Sequence, residues 1–204
     1  MSVQLLFGAA RAVAGTWSDA NCSGTSYTIS TWKRSQAKSY AQQGNYEGYE
    51  WGGGCYDLND PDDTRGAPDS GGEGADCSGS TFKSWALRST FGASGVTYHP
   101  HERNVHGPYS TGDFYSSCST CPFNASSSKS YSATTYMDAF VYRQGGGGHI
   151  GVIYLEGSGG TDLIVEAKSD DPGTRIAWTD YRGRSAYKAI ARRSWTPECY
   201  PRCT

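Results

Sequence analysis

Residues 145–168 have the sequence GGGGHIGVIYLEGSGGTDLIVEAK, in which two apolar runs flank a short segment of glycine and serine. Each run is rich in β-branched side chains, which is typical of strands, and the segment between them is short enough for a hairpin. Including three similar runs, the predicted strands are 137–142, 149–156, 163–168, 174–178 and 186–193. Their connections are too short for crossover helices, so the sequence predicts a mainly antiparallel sheet of five or six strands.

Two helices are predicted in the N-terminal half of the chain. Ser30 can cap a helix whose apolar residues recur at three- and four-residue steps until Gly44 ends it. A second helix is predicted to begin near Asp76 and to continue through Phe91, before Gly92. Because the helices precede the strands, the sequence predicts an α+β fold with N-terminal helices packed against the sheet.

Length and composition limit the classes of function. The chain has 204 residues, near the size of one domain. Residues 1–15 resemble either the remnant of a secretion signal or a flexible N-terminus, which leaves 16–204 as one domain. Lys and Arg number 18 against 20 Asp and Glu, without a basic cluster, so we expect no nucleic-acid partner. No apolar stretch approaches the roughly 18 residues of a membrane helix, so we expect a protein that is not membrane-embedded. Because the chain is long enough to form a core without a partner subunit, we also expect a monomer.

Seven cysteines are an odd number, so one thiol remains if the others form disulfides. Cys77 is the candidate, because it follows Asp76 in a predicted first helical turn, where N–H groups and the helix dipole favour a thiolate. Free cysteines are more often buried structural thiols. The small and polar neighbours Ser78 and Gly79 favour an accessible thiol instead.

His149 and Glu166 lie on neighbouring predicted strands. A turn centred between Gly157 and Ser158 would place them directly opposite each other, whereas a turn centred one residue later would make them diagonal neighbours on one face. Long side chains can meet in either register, although a lone histidine at a strand edge is more often structural. With Cys77, the sequence therefore contains candidates for a nucleophile, a base and an acceptor that orients the base.

Four short motifs resemble successive signatures of the NlpC/P60 cysteine peptidases, over about residues 30 to 193. They are YEWGG at 49–53, DCSG at 76–79, HIGVIY at 149–154 and IVEA at 164–167. The resemblance implies a papain-like fold, in which the nucleophilic cysteine lies on a helix packed against the antiparallel sheet that carries the histidine and the third residue. It also implies hydrolysis of peptide bonds in the stem peptides of bacterial peptidoglycan, commonly after D-glutamate, without a cofactor or metal.

The resemblance also implies roles for residues around the catalytic set. Tyr49 would line the active site, with Tyr46 as the nearby alternative, and Asp76 and Ser78 would help to bind the substrate. The backbone N–H of Cys77 is the natural donor to the oxyanion, and the Tyr49 hydroxyl is the candidate for a second.

Two features depart from the family pattern. The third catalytic residue is usually His, Asn or Gln, and Glu166 stands there in this chain, but a carboxylate can also accept the imidazole N–H. The separation of Cys77 and His149 is longer than we expect for the family. We attribute the extra length to an insertion around 93–132, predicted to be irregular and to shape the rim of a cleft.

Proximity in the sequence pairs the remaining cysteines as Cys22–Cys55, Cys118–Cys121 and Cys199–Cys203, which would suit a secreted protein. A zinc site formed by the two close pairs is the alternative. A redox-active Cys118–Cys121 pair is less favoured, because the strand-to-helix setting of such motifs is missing.

Two segments raise the question of metal binding. The acidic segment 57–76 predicts a surface loop, with a cation site as the alternative, although its residues are out of register with an EF-hand. His99, His101 and His106 could bind a transition metal, but their spacing without a nearby cysteine or carboxylate is a weak zinc signal.

We therefore expect a secreted cysteine hydrolase that uses Cys77, His149 and Glu166 to cleave peptidoglycan stem peptides. A papain-like amidase or acyltransferase acting on another amide or thioester is the first alternative. A non-catalytic module that binds the cell wall is the second.

Overall fold

The computed structural model describes residues 31–45, 48–49, 51–53, 75–88, 91–92, 106–169 and 173–198. Within these ranges three helices come first and six strands follow, which confirms the predicted α+β class. The helices are α1 (Arg34–Gln43), α2 (Cys77–Ser84) and α3 (Thr111–Ser116). The strands are β1 (Phe123–Ala125), β2 (Ala139–Gln144), β3 (Gly147–Glu156), β4 (Asp162–Ser169), β5 (Gly173–Thr179) and β6 (Lys188–Arg192).

The strands form one sheet in the order β1-β6-β2-β3-β4-β5, and every described pair of neighbours is antiparallel. Hairpins connect β2 to β3, β3 to β4 and β4 to β5, as the short connections predict. Strand β6 then returns to pair with β2. All five predicted strands are present, with ends that differ by a few residues.

Helix α2 is shorter than predicted. It ends at Ser84, and Phe91 lies outside it. The indole N–H of Trp32 donates to the Ser84 carbonyl at 2.8 Å, and Ala86 has a φ of 46° in the left-handed region. The end of α2 is thus formed by a contact with a residue 52 positions away, which local periodicity does not reveal.

Helix α1 ends before Gly44, as predicted, but the predicted cap at Ser30 is wrong. The helix begins at Arg34 and Lys33 is its N-cap, where the Gln36 side chain accepts the Lys33 N–H at 2.9 Å.

The segment predicted to be an irregular insertion contributes to the core. It contains α3 and β1, and β1 extends the sheet by pairing with β6. The ring centroids of Phe114 on α3 and Phe123 on β1 lie 4.5 Å apart, and Tyr109 and Trp85 pack against them. All four side chains are fully buried. Residues 106–125 therefore connect α2 to the edge of the sheet through aromatic packing.

The predicted Cys118–Cys121 disulfide is confirmed, with 5.0 Å between the two Cα atoms. Several other expectations concern residues outside the described ranges. They are residues 1–15, Tyr46, most of the acidic segment 57–76, His99, His101, and the pairs Cys22–Cys55 and Cys199–Cys203. In the part of the chain that the structure describes, no helix has the length and apolarity needed to cross a membrane.

A buried ion pair joins the β3–β4 hairpin to the chain after β5. The guanidinium of Arg182 binds Asp162 through two hydrogen bonds, of 2.7 and 3.1 Å, and their side chains are only 5% and 1% exposed. Arg182 also donates to the carbonyl of Thr134 at 3.1 Å. Arg182 thus binds two separate segments, the β3–β4 hairpin through Asp162 and the loop before β2 through Thr134. These bonds hold the hairpin against that loop.

We expect Arg182→Met to lower the free energy of unfolding by about 3–5 kcal/mol, because it leaves the Asp162 carboxylate buried without its partner. Urea unfolding followed by circular dichroism measures the change. The matched control is Arg184→Met, which breaks the exposed ion pair with Asp180 and should leave the unfolding midpoint unchanged. Equal effects of the two substitutions would contradict the role assigned to Arg182.

Candidate functional site

Cys77 is the first residue of α2, as the sequence predicts. The Asp76 carboxylate caps the helix by accepting the Gly79 N–H at 2.7 Å, and the same oxygen accepts from the Ser78 hydroxyl at 2.9 Å. Backbone N–H groups of Cys77, Ser78 and Ile150 are directed at the Cys77 sulfur. Since Ile150 follows His149 on β3, this contact brings the start of α2 to the strand that carries the candidate base.

The Cys77 thiol differs from the expected accessible thiolate. Cys77 is only 8% exposed, and it is the one free cysteine among the described residues. Burial raises the pKa of this thiol, the Asp76 charge raises it further, and together they outweigh the backbone N–H groups, giving a pKa of about 12. The resting side chain is therefore a neutral thiol, and a nucleophilic reaction requires a base to remove its proton.

His149 and Glu166 meet across the β3–β4 hairpin. Val152 pairs with Val165, so the hairpin has the later of the two turn positions considered, and His149 and Glu166 are diagonal neighbours. The His149 Nε2 and Glu166 Oε2 atoms lie 2.5 Å apart, and both residues are buried. The predicted contact of base and acceptor is thus present in the structure.

Three neighbours hold the Glu166 carboxylate. Arg175, directly opposite on β5, donates to Oε1 through Nε at 3.0 Å and Nη2 at 2.8 Å. The Tyr181 hydroxyl donates to Oε2 at 2.7 Å. Burial raises the pKa of Glu166, but the His149 hydrogen bond and charge, with the bonds from Tyr181 and Arg175, lower it to about 2. Glu166 is therefore ionised at neutral pH and acts only as an acceptor.

The sequence analysis missed Arg175 and Tyr181. The β4–β5 register places Arg175 beside Glu166, so a hairpin argument of the kind applied to His149 could have found it. Tyr181 lies beyond β5, and its ring stacks on Tyr187 with centroids 4.2 Å apart. No local motif predicts that stacking.

A cleft of about 420 Å³ lies at the start of α2. Its lining includes the predicted residues Tyr49, Asp76, Cys77, Ser78 and His149, whereas Glu166 is bonded behind His149. The nucleophile and base candidates therefore face one cavity. The cleft is also lined by His106, which belongs to the segment 93–132 predicted to shape the rim of a cleft. Trp51, which is 85% exposed, Arg143 and Lys168 line it as well, and the sequence did not predict this.

His106 is the member of the predicted histidine group that the structure describes. Its ring is bonded to Asp76, Ser78 and the Gly107 carbonyl. Across the described ranges, no group of three or more His, Cys, Asp or Glu side chains is arranged to hold a metal ion.

The geometry has the elements of nucleophilic catalysis: a thiol at a helix start, a histidine in the same cleft, and an ionised acceptor on the Nε2 atom of that histidine. A scan against protein-family models finds no match for the chain, and searches of curated proteins and of solved structures find none either. The relation to NlpC/P60 peptidases thus stays a prediction based on the four motifs.

Gly151 lies beside the Glu166 carboxylate, at a position where β3 and β4 are tightly packed. A Cβ atom there would lie 2.6 Å from Ile164 Cγ2 and 3.4 Å from Glu166 Oε2. We expect Gly151→Ala to lower the free energy of unfolding by about 1–3 kcal/mol, the usual cost of overpacking, even though alanine suits a strand better than glycine.

Gly147→Ala on the same strand is the matched control, because its Cβ would have no neighbour closer than 3.7 Å. Urea unfolding of the two variants gives the comparison. Gly151→Ala with a stability equal to or above that of Gly147→Ala would show that the Gly151 position is not tightly packed.

Proposed function

We propose that the protein is a secreted cysteine hydrolase with a papain-like arrangement, which cleaves peptide bonds in the stem peptides of bacterial peptidoglycan. The observation that carries the proposal is the bonded pair of His149 and Glu166 in the cleft that contains Cys77 at the start of α2. The sequence resemblance supplies the substrate class. The Cys118–Cys121 disulfide suits an oxidising, extracellular location.

The hydrogen bond to Glu166 determines which ring nitrogen acts as the base. Because the ionised carboxylate only accepts, the His149 Nε2 atom carries a proton and donates it to Glu166. The Nδ1 atom of the neutral ring then holds the lone pair. Nδ1 removes the thiol proton of Cys77, and Glu166 stabilises the positive charge that forms on the ring.

The reaction then has two stages. The Cys77 sulfur attacks the scissile carbonyl carbon, and collapse of the tetrahedral intermediate breaks the C–N bond while His149 protonates the leaving amine. In the second stage a water molecule gives a proton to His149 and attacks the thioester, which releases the acid and returns the proton to the sulfur. The Cys77 backbone N–H, with the Tyr49 hydroxyl as a second donor, would stabilise each oxyanion.

The charges in the cleft support an acidic substrate. Arg143 donates to the Thr111 hydroxyl at 3.4 Å, and Lys168 donates to the Tyr181 hydroxyl at 3.0 Å. Within the described part of the chain, neither cation has a carboxylate partner. A stem peptide with a free carboxylate beside the scissile bond, as after γ-linked D-glutamate, would supply a partner of opposite charge.

The direct test is digestion of purified sacculi, followed by mass spectrometry of the released fragments. We expect the wild type to release peptides with new amino termini, and Cys77→Ala to be at least about 1,000-fold slower, because the nucleophile is missing. Ser80→Ala is the matched control, since it truncates a small buried side chain on the same helix outside the cleft.

The products separate the alternatives. Fragments with free lactyl groups on muramic acid would indicate an amidase, and binding to sacculi without any cleavage would indicate a cell-wall-binding module. Equal cleavage by the wild type and Cys77→Ala would contradict the proposed nucleophile.

A second test concerns the charge of the substrate. We expect Lys168→Met to raise KM about 10- to 100-fold for a stem peptide with free D-glutamate carboxylate, because a charge-assisted hydrogen bond contributes about 1.5–3 kcal/mol. The effect should be much smaller for the peptide in which that carboxylate is amidated. Lys129→Met, remote from the cleft, is the control. An equal effect of Lys168→Met on both peptides would contradict carboxylate recognition by Lys168.

A further inference from the structure

His106 lies on the wall of the cleft and is bonded at both ring nitrogens. Its Nδ1 atom lies 2.9 Å from the carbonyl oxygen of Gly107. Its Nε2 atom lies 3.1 Å from Asp76 Oδ2 and 3.0 Å from the Ser78 hydroxyl. The side chain is 26% exposed, so it is accessible to solvent protons and ordered by the protein.

These partners determine the protonation state of the ring. A carbonyl oxygen and a carboxylate can only accept, and the Ser78 hydroxyl already gives its proton to Asp76 Oδ1. A neutral imidazole has one N–H, so one of its nitrogens would direct a lone pair at an acceptor. Only the imidazolium donates to both the Gly107 carbonyl and Asp76. The hydrogen bonds therefore select the positively charged form of His106.

The backbone fixes the ring in this position. Gly107 has a φ of 81°, and a Cβ atom there would lie 2.4 Å from Cδ2 of Phe82 on α2. A glycine is thus required for the chain to pass this close to α2. His106 is held against the same helix that presents Cys77.

The partner of His106 also affects the nucleophile. Asp76 caps α2 through Gly79 and accepts the Gly52 N–H at 3.2 Å, so it lies at the centre of the contacts around the helix start. Its negative charge disfavours the Cys77 thiolate. A cation that is hydrogen-bonded to this carboxylate offsets its charge.

We propose that His106 is a positioning residue, which as an imidazolium holds Asp76 at the start of α2 and offsets the charge of that carboxylate beside the Cys77 sulfur. The proposal rests on the proposed function only in taking Cys77 as the reactive group. It gives a role to the one described histidine of the predicted group 99–106, and the role requires no metal.

The pH range in which the ion pair exists follows from the pKa values of His106 and Asp76. Burial lowers the pKa of His106, but the hydrogen bond and charge of Asp76 and the Gly107 carbonyl raise it above its usual value. Burial raises the pKa of Asp76, but His106, Gly79 and Ser78 lower it below its usual value. The ion pair is complete between the two pKa values. It is lost as the pH rises through the pKa of folded His106, or falls through that of Asp76.

Other groups in the cleft also carry or change charge. They are Tyr49, Cys77, Arg143, His149 and Lys168. Because several groups in the cleft can change charge, the pH profile of the wild type alone does not isolate the effect of His106. A comparison of variants that keep all of these groups isolates the contribution of His106.

The experiment measures alkylation of Cys77 by iodoacetamide in the folded protein between pH 5 and 9, with mass spectrometry to identify the modified cysteine. At pH 6 we expect His106→Gln to react about tenfold more slowly than the wild type, the change produced by one pKa unit in a thiol that is mostly protonated. The two rates should converge as the pH rises through the pKa of His106, because the ring of the wild type then loses its charge.

Two further variants test the mechanism. Asp76→Asn keeps a residue that caps helices well but removes the charge. In that background, His106→Gln should change the alkylation rate less than twofold, since there is no charge to offset. His106→Lys restores a cation and should recover part of the lost rate at pH 6. Arg184→Gln, which removes a cation from an exposed ion pair, should match the wild type at every pH.

Equal rates for His106→Gln and the wild type at pH 6, or a rate difference that does not vary with pH, would overturn the proposal. A merely structural role predicts the second of these results. Alkylation uses no peptidoglycan, so failure of the protein to cleave sacculi would refute the proposed substrate and leave this test valid. Melting temperatures of all variants confirm that each rate refers to folded protein.

Discussion

The buried carboxylate of Glu166 is the constraint on which the rest of the site depends. Its side chain is inaccessible to solvent, and an isolated charge at such a place would be strongly destabilising. Hydrogen bonds from His149, Tyr181 and Arg175 compensate the charge, and these three residues come from β3, from the turn after β5 and from β5 itself. The same bonds that satisfy Glu166 therefore hold three parts of the chain in one arrangement, and they orient the imidazole as a consequence.

Burial disfavours the charged form of Cys77, the nucleophile candidate, whereas the charge of buried Glu166 is compensated by its neighbours. A position at the start of a helix stabilises a thiolate, and for an exposed thiol that effect would be decisive. Cys77 is buried beside Asp76, however, and desolvation together with the carboxylate outweighs the backbone N–H groups. The site thus differs from one that stores a ready thiolate. In the proposed mechanism, removal of the thiol proton by His149 is part of the reaction itself, which makes the orientation of the imidazole more important.

The sequence predicts the parts of this structure that depend on residues close to one another along the chain. Asp76 marks the start of α2, and the short connections around β3 and β4 restrict His149 and Glu166 to two registers, one of which is observed. The end of α2 at Ser84 was not predictable, because it depends on a hydrogen bond from distant Trp32. Strand β1 is not predicted, because its three residues show too little periodicity to be distinguished from a loop. His106 stands in the sequence only as one of three histidines with a weak zinc spacing, because its partner Asp76 is 30 residues away.

The cleft contains two histidines, and each is bonded to a carboxylate through one ring nitrogen. The contacts of the other ring nitrogen differ between them and suit the two residues to different tasks. In His106 both nitrogens face acceptors, so loss of a proton breaks a hydrogen bond, and the ring is best kept charged. In His149 the Glu166 carboxylate occupies Nε2 and no described contact holds Nδ1 to a second acceptor. That nitrogen can accept a proton and give it back without loss of a bond. These contacts suit His149 to the proton transfers of the proposed mechanism and His106 to the constant charge proposed for it. The two roles follow from the contacts of the second ring nitrogen, because both residues have a carboxylate at the first.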